Sequence, residues 1–314
     1  MKRLIFLLLS LVAAAAAAAE NRAALAPGVH ETVVNGVRLW YRVAGRTNGV
    51  PVVFLHGGPG QGSQSFAKFA GPELEKGLRM VYLDQRGSGR SERPWNQAYS
   101  MDLLIDDLEK LRLAWGVPKI ALVGQSFGTA LGMEYAARYP DRVSHLVLAA
   151  GIPDIPAALD IQCARLERED PEAFARAKAA LREGDRRRCN AGRAYEGAAS
   201  RAATDRRMYP DPETQRLVEE ADAEGGLKNT GELGKAIFAS GIMDYRFDKA
   251  ERLTMPVLVI AGGRDFQAVA EPQRALAERV ERGRYLEYPE AGHFMYVEDP
   301  VRFGRDVTAF IKGR

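Results

Sequence analysis

The 314 residues carry 44 Lys and Arg against 41 Asp and Glu, a formal net charge of +3, with 46% hydrophobic residues. A balance this close to neutral makes no electrostatic case for nucleic-acid binding, and the basic run Arg186-Arg187-Arg188 sits where acids and bases nearly cancel, as on a solvated helix face. The length suffices for one large core, with room for an inserted subdomain.

In chain order, Lys2 and Arg3 precede an apolar run at 4–12, and Ala17-Ala18-Ala19 precedes Glu20. A positive start, a short apolar stretch and a small-residue cleavage site read as an export signal over 1–19, removed from the mature chain. The run is short for a membrane span, although an uncleaved N-terminal anchor is the alternative. Removal of Lys2 and Arg3 would bring the charge to +1. The protein is therefore expected in the periplasm or secreted, without a membrane association after cleavage.

Alternating apolar residues at 31–34 and 37–43, parted by Asn35-Gly36, predict a β-hairpin. Strands follow at 51–55, 79–83, 120–123 and 143–150, and helices at 63–74, 101–115 and 127–139. Continuous apolar strands between amphipathic helices imply a mostly parallel sheet flanked by helices on both faces. From 152 to 250 no convincing strand occurs, only charged, alanine-rich helical sequence with Gly and Pro. The alternation resumes with strands at 257–261 and 284–288 and helices at 271–280 and 300–311. The expected organisation is one α/β core, 20–151 and 251–314, interrupted by a helical cap at 152–250. The two cysteines, Cys163 and Cys189, both fall in that cap. In an oxidising compartment they are expected to pair, the alternative being two buried thiols that never meet.

The residues that carry chemistry stand at strand ends. Gly124-Gln125-Ser126-Phe127-Gly128 lies between a strand and a helix. Glycines there allow a turn sharp enough to expose the Ser126 hydroxyl as a nucleophile, with the Phe127 amide free at the helix start. Ser88, between Gly87 and Gly89, has the glycines without that context. Of four histidines, His30 precedes the hairpin, His145 begins a buried strand and His56 belongs to a glycine loop. His293, just past the last strand, is the expected base. Asp265, past the strand at 257–261, is the expected acid that orients it; capping the next helix is its alternative role. The order Ser126, Asp265, His293 is that of an α/β-hydrolase. His56-Gly57-Gly58-Pro59-Gly60 would contribute the Gly58 amide, with Phe127, to an oxyanion hole, and lacks the Gly-Lys-Ser/Thr ending of a phosphate loop.

Taken together, His56-Gly57-Gly58-Pro59-Gly60, Asp84-Gln85-Arg86-Gly87-Ser88-Gly89-Arg90-Ser91 and Gly124-Gln125-Ser126-Phe127-Gly128 resemble the proline iminopeptidase (prolyl aminopeptidase) group of α/β-hydrolases. The resemblance implies a cofactor-free, metal-free serine peptidase that removes N-terminal residues, preferentially proline, from short peptides through an acyl-enzyme. It also implies that Asp84 and Arg86 brace the site without reacting, and that cap carboxylates receive the substrate amine. Gly57 of the core loop and the cap residues Glu219 and Glu220 are the candidate substrate contacts, the cap acids also including Glu196, Asp222, Glu224, Glu232 and Asp244. The same triad would serve a carboxylesterase or amidase acting on small hydrophobic compounds. A serine at the elbow sets aside epoxide hydrolases and haloalkane dehalogenases, which need aspartate there. An intact triad with its oxyanion loop argues against a purely binding scaffold.

Overall fold

The sheet begins where two consecutive residues accept left-handed backbone. Asn35 (φ 50°) and Gly36 (φ 71°) join β1 (Gly28–Val34) to β2 (Val37–Gly45), the two-residue turn whose twist matches antiparallel strands. Along β2, Val37, Leu39, Tyr41 and Val43 turn inward while Arg38 faces solvent. The structure, a computed structural model, describes residues 23–185, 187–191, 194, 208–227 and 231–314. The expected export signal at 1–19 and Glu196 lie outside the described residues.

Six further strands follow: β3 (Pro51–Leu55), β4 (Arg79–Leu83), β5 (Ile120–Gln125), β6 (Val143–Ala149), β7 (Val257–Gly262) and β8 (Gly283–Tyr288). They form one sheet in the order β1-β2-β4-β3-β5-β6-β7-β8, antiparallel at β1–β2 and β2–β4 and parallel elsewhere. Every residue of β3, β5 and β7 is buried, because helices cover both faces. Alternate residues of β3 serve opposite layers. Val53 and Leu55 join the cluster made with Leu104, Leu108 and Leu131, whereas Val52 and Phe54 join the one made with Phe66, Phe303 and Val307.

The core helices are α1 (Gln64–Phe69), α2 (Gly71–Leu74), α3 (Met101–Ala114) and α4 (Phe127–Arg138) before the cap, and α9 (Ala270–Arg279), α10 (Met295–Glu298) and α11 (Pro300–Ile311) after it. The single helix expected over 63–74 is two. Pro72 has no amide to donate and its ring crowds the carbonyl four residues back, so a new helix starts around it. The four-residue α10 has no periodicity to betray it.

Between β6 and β7 stand the cap helices α5 (Ile155–Glu169), α6 (Pro171–Ala179), α7 (Pro212–Glu224) and α8 (Glu232–Ala239). Asp154, Asp170 and Asp211 start the first three, each accepting a backbone amide of the first turn with proline close behind. The cap closes on itself at its base: Phe247 N donates to Pro153 O at 2.7 Å, Ile155 N to Tyr245 O at 3.0 Å, and Arg246 pairs with Asp154 at 2.8 Å. No helix among the described residues is long and apolar enough to cross a membrane.

Cys163 of α5 and Cys189 are joined by a disulfide, both fully buried, with Cα atoms 5.8 Å apart. Around them lie Leu159, Leu166, Ala173, Ala177, Ala191 and Ala194. Alanines bury little apolar area, so the bond is the main tie in this part of the cap. Reduction, or a Cys163→Ala/Cys189→Ala double variant, is expected to lower stability by about 3–4 kcal/mol. A denaturant midpoint that is the same with and without reductant would refute this.

Candidate active site

The backbone turns sharply at Ser126, with φ 52° and ψ −120° between β5 and α4. A side-chain-bearing residue held there costs about 1–3 kcal/mol and persists only where its surroundings impose it. Here they do. A Cβ on Gly128 would stand 2.0 Å from the Leu55 carbonyl oxygen, and one on Gly124 would stand 2.5 Å from that of Gly128. The glycines thus let α4 start hard against β3 and β5, and the chain must turn at Ser126 to do it. Ser126 N donates to Ala149 O at 3.0 Å, and the Thr129 amide and hydroxyl both donate to Ser126 O, at 2.9 and 2.6 Å.

Asp265 follows β7 and is 1% exposed. One carboxylate oxygen accepts the Gln267 and Ala268 amides, each at 2.8 Å; the other lies 2.7 Å from His293 Nδ1. A carboxylate there keeps the imidazole proton on Nδ1 and leaves the Nε2 lone pair free. The alternative of a plain helix cap does not describe Asp265, since α9 is preceded by Val269. His293 sits in the loop after β8. Its amide donates to Met208 O at 2.9 Å, and its carbonyl accepts Gln125 Nε2 at 3.4 Å. The remaining histidines are elsewhere: His30 donates from Nε2 to Ala26 O, and half-buried His145 meets Phe310 edge-on.

The glycine loop after β3 lies against the elbow. Gly57 has no space for a side chain, since a Cβ would stand 2.3 Å from Gln125 Oε1 and 2.8 Å from Ser126 Cβ. His56 braces the loop: Nδ1 donates to Gly57 O at 3.1 Å, Nε2 accepts the Gln85 amide at 3.1 Å, and Gln85 Nε2 returns to His56 O at 3.0 Å. Burial pushes the His56 pKa down, so the ring is neutral. Asp84 gathers Ser63 and Arg90, the latter stacked on Trp40 at 3.4 Å. Arg86 meets Asp107 through two bonds of 2.6 Å, both side chains buried.

A cavity of about 660 Å³ opens between core and cap. Ser126, His293, Gly58 and Phe127 lie on its core side, and Ile155, Leu159, Tyr209 and Phe238 are among the cap residues opposite. Gln61, Gln125, Gln162 and Gln267 also line it, and no carboxylate does among the described residues. Three sequence expectations are corrected here. Gly58 borders the cavity but Gly57 does not, because Gly57 is packed against Gln125 and Ser126. Glu219 and Glu220 do not border it either. The inward stripe of α7 is Thr214, Val218 and Ala221, which leaves both glutamates exposed, Glu219 accepting from Gln215 and Glu220 from Arg216. Asp222 of the same helix instead accepts Gln61 Nε2 at 3.1 Å, Glu224 pairs with Lys68, and Glu232 accepts the Tyr99 hydroxyl. Sequence reasoning passed over Gln125, although it is the second letter of the elbow pentapeptide, and Met208, whose carbonyl carries no sequence signal.

An elbow serine, a carboxylate-bound histidine and a glycine loop at the carboxyl edge of a mostly parallel sheet define an α/β-hydrolase. Residues 50–300 match the alpha/beta hydrolase fold family, and the chain belongs to it. It is similar to the proline iminopeptidase of Thermoplasma volcanium, 25% identical over 285 residues that cover 89% of this chain and 95% of that protein. It is also similar to that of Neisseria meningitidis, 40% identical over 114 residues, where the match spans about a third of each chain. Among solved structures, a proline iminopeptidase-related protein from Thermus thermophilus superposes with a TM-score of 0.75 at 25% identity, covering 92% of this chain and all of the other.

Proposed function

We propose that Ser126, His293 and Asp265 form the catalytic triad of a serine hydrolase that releases N-terminal residues, preferentially proline, from short peptides. The observation that carries the triad is the buried 2.7 Å contact from Asp265 to His293 Nδ1, on a histidine that shares a cavity with the strained Ser126. In this reading His293 Nε2 takes the Ser126 hydroxyl proton as Oγ bonds to the scissile carbonyl carbon. The carbonyl electron pair moves to oxygen, facing the Gly58 and Phe127 amides, and a donor of that kind is worth roughly 3–4 kcal/mol. Collapse breaks the C–N bond, and the amine leaves with the proton held by His293. Water, deprotonated by the same nitrogen, then cleaves the acyl-enzyme.

The substrate assignment follows the relatives, and an apolar cavity closed by a cap suits one small ring better than an extended chain. Export completes the proposal, supported by the basic and apolar N-terminus and by a buried disulfide of the kind that persists in oxidising compartments. A specific observation favours a second reading, a carboxylesterase or amidase for uncharged compounds. A buried ammonium needs an anionic partner to replace its water, and the described cavity wall offers no carboxylate.

Initial rates on matched substrates separate the two, with Ser126→Ala as blank. The prolyl reading expects free prolyl anilide to be cleaved faster than alanyl or leucyl anilide and to be spared once its nitrogen is acylated. Turnover of a p-nitrophenyl ester with every anilide untouched would replace it with the esterase reading.

A further inference from the structure

We propose that Glu298 is a positioning residue for His293, its carboxylate holding the Gly292 amide and so fixing the loop that aims the imidazole at Ser126. The inference rests on the triad reading above, in which His293 is the base.

Besides the 2.9 Å bond from Arg264 N to Ala291 O, three elements hold the His293 loop by its backbone. The cap holds the His293 amide through Met208 O at 2.9 Å, the elbow holds its carbonyl through Gln125 Nε2 at 3.4 Å, and Glu298 Oε2 accepts from Gly292 N at 2.6 Å. The last is the shortest of the three and the only one with a charged partner, the kind of bond that is strongest. A Cβ on Gly292 would stand 2.2 Å from the Pro210 ring, so the backbone is already seated against the cap.

Glu298 is an unexpected residue for a merely structural place. Its other oxygen, Oε1, is buried with no hydrogen-bond partner. A desolvated carboxylate with half its acceptors unused costs stability that an apolar side chain would not. Burial holds the Glu298 carboxyl above its ordinary range, Asp265 and Asp211 add to this, and the Gly292 amide and Arg264 oppose it. What the carboxylate supplies in exchange is one bond, made one residue before the proposed base. A base displaced by an ångström can lose about a hundredfold in rate, and this bond prevents such a displacement.

The test compares Glu298→Ala, Glu298→Gln and His293→Ala with the unaltered protein on an activated ester, reading kcat and KM separately. The alanine variant should lose roughly 10–100-fold in kcat with KM changed less than about twofold. The glutamine variant keeps an acceptor oxygen for Gly292 N and should recover kcat to within about threefold. If the alanine variant does not fold, Glu298→Asp replaces it: charged but one methylene short, it should lose about tenfold in kcat. A Glu298→Ala kcat within twofold of the unaltered protein, a loss confined to KM, or a glutamine variant no better than alanine would each overturn the inference. An inactive His293→Ala beside a fully active Glu298→Ala refutes positioning alone; a fully active His293→Ala removes the triad reading and the inference with it.

Discussion

Replacing Ser126 with alanine is expected to lower kcat by roughly four to six orders of magnitude while leaving the fold intact. Alanine keeps the Cβ, so the backbone at φ 52° is neither relieved nor worsened, and the amide that donates to Ala149 O is unchanged. Only the attacking oxygen goes. His293→Ala should fall nearly as far, because without a base the serine proton has no acceptor. The Ser126→Ala/His293→Ala double variant should be no worse than either alone, since groups that act as a unit are not additive. Residual turnover from the oxyanion loop and the cavity is then the floor. Steady-state rates on cleanly purified protein decide the matter, and a Ser126→Ala enzyme retaining more than a few per cent of activity would sink the triad.

The second large effect is on stability. Asp107→Ala should destabilise the protein by about 3–5 kcal/mol, because it strands the Arg86 guanidinium in a buried site. Both bonds from Arg86 to Asp107 are 2.6 Å and both side chains are within a few per cent of full burial. The remaining bond, Arg86 to Ala98 O at 3.1 Å, is neutral and cannot replace a counter-charge. Asn35, which donates to Asp107 at 2.7 Å and forms the first hairpin turn, would lose its acceptor as well. Replacing both partners, as in Arg86→Met/Asp107→Leu, should recover most of the loss, since the penalty lies in the unpaired charge. Urea or guanidinium midpoints of the two variants form the test; an Asp107→Ala protein within about 1 kcal/mol of the parent contradicts the argument. Activity should suffer too. Gln85, the neighbour of Arg86, supports His56 and through it the glycine loop at 56–60.

The parts that were legible from sequence share a property: they depend on residues close along the chain. The apolar run at 51–55 reads as a doubly covered strand, Asn35-Gly36 suits a two-residue hairpin turn, and the periodicity at 300–311 reads as a helix from within itself. The elbow is legible for the same reason, since Gly124 and Gly128 bracket Ser126 within one turn. Asp265 and His293, which lie 2.7 Å apart, could be singled out because each follows a strand whose end the parallel sheet brings to one edge. What escaped depends on pairings across long stretches of chain. Asp222 meets Gln61 across 161 positions, and nothing near either one announces it. The acids of α7 look equivalent in sequence, and only the inward stripe of Val218 and Ala221 decides that Glu219 and Glu220 face away from the cavity. Glu298 was invisible because its partner is a backbone amide, which every residue but proline possesses.

The closed base of the cap has a consequence for how such a protein can change. Its two ends leave and rejoin neighbouring strands and are zipped together by the Pro153, Asp154 and Ile155 contacts with Phe247, Arg246 and Tyr245. Everything between them can therefore be exchanged as a unit without cutting the sheet, and selection can try new substrates on unaltered chemistry. The cap also holds the core elsewhere, through Asp222 to Gln61, Glu224 to Lys68 and Glu232 to Tyr99, but one tie bears on the site itself. The cap reaches back through the Met208 carbonyl and the Pro210 ring to the very loop that carries His293. A transplanted cap that keeps those two contacts inherits the seat of His293; one that omits them would have to evolve its own grip on that histidine.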